Sequence, residues 1–414
     1  MTSALTPTEA DALLSAMITD PEARQDPPAT FRRLHAELPA WDSALGMTVL
    51  AGYHDGLETL RSPKWGRAED DMDLPESFGT AERGDRERIP SMLLMNPPDH
   101  TRVRSLVARA FTPRMVERLR PQIEAILDPL LDCLATEREC DLMTTLAVPF
   151  PVAVISALLG VPPEKGADPS FVQQIRHLTS FIDSGASAED IAAAQLAAVE
   201  VAGYFTELVE VKRADPDDAM LSALIEVEEA GDRLSHEELI INSILMYAAG
   251  FETTSNLIGN GMWALLRNPD QLELLCSDRS LMPAAIWEML RFDSPVQINM
   301  RFSLEPVEFL GRTVERGHSA MVLQGAGNHD PAVYDDPDRF DVGRFAAEGV
   351  PQPLSFGWGA HHCLGAHLAR AEGEILFTRL LDRFGSIELV GEPPRYRAHA
   401  TLRGLESLHV RLAE

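Results

Sequence analysis

The chain has 414 residues, 45% of them hydrophobic and 24% charged, the balance of a globular protein with enough chain for a large core. A net charge of −28 disfavours nucleic acid or an anionic membrane as partner for the surface as a whole. The first thirty residues include Glu9, Asp11, Asp20 and Glu22 without a signal-like apolar run, and Leu146–Val161 is too short and too Pro-broken to span a bilayer, so a cytoplasmic protein without a membrane anchor is expected.

Length alone allows two or three domains, but no linker divides the chain. Residues 1–25 are expected to form a flexible or poorly ordered N terminus and residues 26–414 a single domain. Phe31–Leu38 reads as a short amphipathic helix and Met47–Tyr53 as a strand. Arg67–Pro90, charged and punctuated by Gly and Pro, reads as a surface loop that returns to apolar character at Met92–Met95. In Asn96–Arg104 two prolines stop what precedes, and a helix begins near Asp99 with His100 and Arg104 on one face. Such a pair is ordinarily a solvated surface feature. Residues 100–120 carry Arg102, Arg104, Arg109, Arg114, Arg118 and Arg120 against the single acid Glu117, a basic island in an acidic chain. Helical spacing then recurs over Leu119–Leu134, Val148–Leu159, Phe171–Ile182 and Asp190–Val211.

Ser235–Arg267 is the longest helical pattern. Ser235 and Glu238 supply a capping box, Asn268-Pro269 a stop, and apolar side chains lie nearly all round, so a buried helix is expected. Asn242, Ala249, Glu252, Thr253, Asn256 and Asn260 share a sector about 100° wide. A buried acid needs a partner or a function, and Gly250 weakens the helix by about 1 kcal/mol relative to Ala. Either the stripe serves a ligand, or Thr253 bonds back to the Ala249 carbonyl and Glu252 finds a salt bridge.

Glu288 and Arg291 are spaced i, i+3 on the next helix, where most such pairs are exposed and of little energetic worth. Val296–Phe302, Val307–Leu310 and Ala320–Leu323 read as strands, as do Ile387–Val390 and Leu408–Leu412 near the end. Between them Phe356–Glu372, FGWGAHHCLGAHLARAE, sets Cys363 among glycines at the mouth of a helical run. Unsatisfied N–H groups and the helix dipole favour the thiolate there. A plain buried cysteine is one alternative. Zinc on His361, His362, Cys363 and His367 is another, disfavoured because adjacent residues converge poorly on one ion. Cys133, Cys140 and Cys276 read as plain thiols of a reducing compartment.

The order Phe356, Gly357, Gly359, His361, Cys363, Gly365 resembles the haem-binding loop of the cytochrome P450 family. With AGFETT at Ala249–Thr254, Glu288-x-x-Arg291 and the PDRF at Pro337–Phe340 followed by Arg344, the resemblance covers the chain from about Asp26 onward. It implies a mainly α fold with small β-sheets, one domain around a buried haem b, and Cys363 as axial ligand of the iron. His100, Arg104, Arg301 and His361 would hold the haem carboxylates, Ala249 and Gly250 would leave room beside the iron, and Glu252 and Thr253 would relay protons to dioxygen. Glu288, Arg291 and Arg344 would form a structural lock without chemistry. Candidate pocket residues are Met92, Leu94, Leu245, Ala249, Val296, Ile298 and Leu402. His329 stands where bacterial members often carry arginine.

The implied activity is monooxygenation of an apolar small molecule, as in tailoring a macrolide, polyketide or terpenoid, by a monomer. Electrons would come from NAD(P)H through a ferredoxin reductase and a ferredoxin that docks on the basic island. A peroxide-driven enzyme is one alternative, against which the intact Glu252–Thr253 pair argues for dioxygen; a non-catalytic haem sensor or carrier is another, which explains Cys363, His100 and Arg301 but not the buried Glu252–Thr253 stripe.

Overall fold

The computed structural model describes residues 5–72, 90–229 and 234–413. Near the N terminus, where little order was expected, α1 (Pro7–Thr19) is a capped helix. Thr6 and Glu9 form a reciprocal capping box, and Ala10 and Leu14 are buried. The start signal Thr6-Pro7-x-Glu9 and this apolar face correct the expectation of little order over residues 6–19.

α2 (Pro28–Glu37) leads into the hairpin of β1 (Ala40–Ser43) and β2 (Met47–Leu50), then α3 (Tyr53–Arg61) and the short β3 (Trp65–Gly66). Most of the loop expected over 67–90 lies outside the described residues. Then come α4 (Asp99–Val107), α5 (Pro113–Glu137), β4 (Glu139–Asp141), α6 (Pro149–Leu159), α7 (Pro169–Leu178), α8 (Ala188–Ala214) and α9 (Met220–Glu229). The central helix α10 (His236–Arg267) has the capping box of Ser235 and Glu238 and stops before Pro269. It continues unbroken through Gly250, without the opened ladder that this glycine suggested.

After α11 (Pro269–Ser277) and α12 (Met282–Phe292) the chain forms β5 (Ile298–Ser303), the hairpin β6 (Val307–Phe309) and β7 (Arg312–Val314), and β8 (Ser319–Leu323). α13 (Ala366–Arg383), β9 (Ser386–Leu389) and β10 (His409–Ala413) finish it. The main sheet has the order β1-β2-β8-β5-β3, with β2 and β8 parallel. A large apolar cluster surrounds α10, which packs on α6, α8, α12 and α13. A second cluster joins α1 and α2 to one face of the sheet through Leu14, Phe31, Trp41, Ile298 and Met300. The architecture is therefore one mainly helical domain with small sheets. Among the described residues, no helix is long and apolar enough to cross a membrane.

Candidate active site around Cys363

The loop before α13 is shaped by two glycines with left-handed backbone, Gly357 at φ 61° and Gly359 at φ 70°. At Gly359 a Cβ would lie 2.6 Å from the Leu60 carbonyl oxygen, so only glycine lets the loop pass α3. The Cys363 N–H donates to the Phe356 carbonyl at 2.8 Å, and Trp287 of α12 packs edge-on against the Phe356 ring at 5.7 Å. Gly365 caps α13, and a Cβ there would meet nothing within 4 Å. Burial pushes the Cys363 thiol up, against the opposing pull of the Gly365 N–H and the Arg104 charge. The Gly365 N–H thus favours the thiolate as expected, and burial outweighs it.

α10 is buried on most of its surface, yet Ala249 in its middle is exposed and Leu245 and Thr253, one turn either side, are only half-buried. These three share one face, which the surrounding helices leave uncovered. Thr253 Oγ1 donates to the Ala249 carbonyl at 2.9 Å. Gly250 points elsewhere, since a Cβ there would lie 2.9 Å from Ile155 Cδ1. It is a packing glycine between α10 and α6, which corrects its assignment to cofactor binding.

Glu252 is 2% exposed and gripped by two guanidinium groups, Arg176 Nε at 3.0 Å and Arg397 Nη2 at 2.5 Å. Burial raises its pKa, but Arg397 and Arg176 together outweigh burial and hold the carboxyl below its ordinary value. Both halves of the structural alternative, the back-bonded threonine and the ion-paired acid, are thus present. Neither arginine was anticipated from sequence.

A third group combines two histidines with an arginine. The His100 and His361 rings lie 4.3 Å apart, with Arg301 buried beside them, and among the described residues no carboxylate pairs with this set. Both His100 ring nitrogens, His361 Nε2 and Arg301 Nη2 are buried without a hydrogen-bond partner. Burial, with the charges of Arg104, Arg67 and Arg301, pushes His100 down to about 4. Burial and the same cations push His361 down to about 2. Arg104 donates to the His362 carbonyl at 2.5 Å. Arg67, read from sequence only as the start of a loop, donates to the Met300 carbonyl at 3.2 Å and adds a further charge.

The Cytochrome P450 family model matches residues 67–404. This chain belongs to the cytochrome P450 family. It is 41% identical to cytochrome P450 107B1 of Saccharopolyspora erythraea over 94% of this chain and 93% of that one. It is 42% identical to the vitamin D(3) 25-hydroxylase of Pseudonocardia autotrophica, over 93% and 94% respectively. The structure of the cytochrome P450 PksS of the Bacillus subtilis bacillaene polyketide synthase superposes with a TM-score of 0.82 at 33% identity, covering 94% of this chain and 97% of that one. The protein is a P450 monooxygenase and a haem-thiolate protein.

Haem carries two carboxylates and an iron, and the residues present fit it. The orphaned buried polar atoms of His100, His361 and Arg301 suit the carboxylates, while the enclosed Cys363 thiol suits the iron. Among the described residues, no three His, Cys, Asp or Glu side chains converge on a metal-sized site.

The remaining expected residues divide. Met92 is buried and its N–H donates to Asn242 Oδ1 at 2.9 Å, tying its segment to α10, whereas Leu94 is 38% exposed. Val296 and Leu402 pair in a β-bridge. Along β5, Asn299 and Arg301 share one face, so Ile298 and Met300 point to the other, into the cluster under α1. This corrects Ile298 as a pocket residue. Glu288 accepts from Arg291 Nε at 2.7 Å, Arg344 Nε at 3.1 Å and the Asp341 N–H at 2.9 Å, with Glu288 and Arg291 fully buried. His329 bridges Asp338 and the Phe292 carbonyl, both at 2.9 Å. Of the basic island, Arg104 turns inward, Arg102 pairs with Glu238 and Asp99, and Arg120 pairs with Glu374 and Glu117. The side chain of Arg109 lies outside the described residues, and Arg114 and Arg118 are exposed.

Proposed function

We propose that this monooxygenase inserts one oxygen atom from O2 into an apolar small molecule, by hydroxylation or epoxidation, in tailoring a bacterial secondary metabolite of macrolide, polyketide or terpenoid type. The observation that carries the reading is the open Leu245–Ala249–Thr253 face of an otherwise buried helix, with an ionised acid at its edge. The relatives named for vitamin D(3) hydroxylation and for a polyketide synthase support a bulky apolar substrate.

Cys363 would ligate the iron, with His100, Arg104, Arg301 and His361 on the carboxylates; Phe356, Gly357 and Gly365 shape the loop. The haem, when bound, supplies oxygen activation. Thr253 holds its proton toward the Ala249 carbonyl and leaves oxygen lone pairs free to accept another. Glu252, anionic between two arginines, can carry a proton only after one of them loosens. Met92, Leu245, Ala249, Val296 and Leu402 exclude water around the substrate. Electrons would arrive from NAD(P)H through a ferredoxin reductase and a ferredoxin in the cytoplasm, with Arg114 and Arg118 as the exposed part of the docking face.

The test is the visible spectrum of the dithionite-reduced protein under carbon monoxide. A strongly red-shifted Soret band is expected, and a colourless protein or a histidine-type band refutes the Cys363 assignment. Thr253→Ala then separates oxygenase from sensor, since an oxygenase loses coupling of NAD(P)H use to product.

A further inference from the structure

Behind β5, on the face carrying Ile298 rather than Arg301, a cavity of about 50 Å³ lies between α1 and the loop 396–403. Leu14, Met17, Ile18 and Ile298 form its apolar wall, and Arg24, Arg397 and Arg403 its polar one. Arg24 Nε and Arg397 Nε are buried donors without an acceptor. The other charges here are matched: Arg403 pairs with Asp293 at 2.6 Å, Arg397 with Glu252 at 2.5 Å and His399 with Asp183 at 3.3 Å. Arg24 is left over. Its Nη1 donates to the Ile18 carbonyl at 2.5 Å, and among the described residues no carboxylate pairs with it.

A half-buried guanidinium against apolar walls is costly without a counter-ion. The volume admits about three to five water-sized groups, room for a carboxylate and the start of a short alkyl chain. We propose that the cavity binds a short-chain monocarboxylate, its oxygens on Arg24 and Arg397 and its alkyl chain against Leu14, Met17 and Ile298. Because Arg397 also grips Glu252, the bound acid draws that guanidinium away and frees Glu252 to take a proton. This consequence rests on the role proposed for Glu252, whereas the binding itself does not.

The experiment is calorimetric titration of the haem-loaded protein with sodium butyrate, against sodium chloride and butan-1-ol. Saturable butyrate binding is expected, weakened at least tenfold by Arg24→Gln and less by Arg24→Lys, with both variants melting as the parent does. Should Arg24→Gln fail to fold, Arg24→Lys against the parent decides. Equal binding by parent and variants, equal binding of butanol or chloride, or no heat at all would overturn the site and leave a water-filled cavity. Butyrate binding that leaves NAD(P)H coupling unchanged overturns only the link to Glu252, and butyrate binding without the red-shifted carbon monoxide band overturns the haem-thiolate reading alone.

Discussion

Replacing Arg397 by glutamine removes one of the two cations that keep Glu252 ionised. Breaking a buried pair on one side costs about 3–5 kcal/mol if the remaining charge stays put. Glu252 has a cheaper escape, because it can take a proton. From an ordinary value of 4.5, protonation at pH 7 costs about 3.4 kcal/mol and at pH 5 only about 0.7, at 1.36 kcal/mol per pH unit. These are ceilings, since Arg176 remains. The sign follows from linkage: the parent's depressed carboxyl keeps its full contribution above 4.5 and is flat from pH 5 to 8. The change comes from the variant, where burial is opposed by Arg176 alone and protonation of Glu252 costs less as pH falls. The stability gap between parent and Arg397→Gln should therefore approach about 3 kcal/mol at pH 7 and close to under about 1 kcal/mol at pH 5. Urea titrations followed by far-UV circular dichroism at pH 5, 6, 7 and 8 measure the gap. A gap that stays constant across that range would show that Glu252 does not exchange charge for a proton when its clamp is opened, and would refute the reasoning.

On the role proposed for Arg301, Arg301→Gln would remove one charge-assisted hydrogen bond to a haem carboxylate, worth about 1.5–3 kcal/mol. The apoprotein should bind haem about 10- to 150-fold more weakly in a Soret titration. Gly359→Ala combines left-handed strain of about 1–2 kcal/mol with a clash against the Leu60 carbonyl, so the purified variant should retain markedly less haem per chain. Glu288→Gln leaves Arg291 and Arg344 short of a buried counter-charge and should destabilise the protein by about 3–5 kcal/mol, seen as a lower urea midpoint. Arg114→Glu, a charge reversal at an exposed residue, should leave stability within about 0.5 kcal/mol while slowing reduction by an acidic ferredoxin and flattening its salt dependence; an unchanged rate removes this residue from the docking face.

The residues whose roles were legible in the sequence act through neighbours close along the chain. Ser235 and Glu238 cap α10 three residues apart, Gly357 and Gly359 answer to their own φ angles, and Cys363 closes onto Phe356 within one loop. Such signals are local, so a motif carries them whole. The ion pair of Glu288 and Arg291 is local too, but its depth is not, and only packing distinguishes it from an exposed pair of little worth.

What the tertiary structure alone decided depends on faces and on distant partners. Gly250 looked like room for a ligand until α6 brought Ile155 against it, and Ile298 looked like a pocket residue until the alternation of β5, anchored by Arg301, turned it toward α1. Thr6-Pro7-x-Glu9 was a readable start, but the sheet that α1 packs against is completed by β5 and β8 from far along the chain. Arg176 reaches Glu252 across 76 residues, and Arg397 reaches the neighbouring Asn256 across 141. Charge is visible in a sequence as composition, but pairing requires folding to bring the partners within a few ångströms. Coulomb energy and desolvation both turn on that separation and burial, so the state of the acid beside Thr253 was settled by the fold.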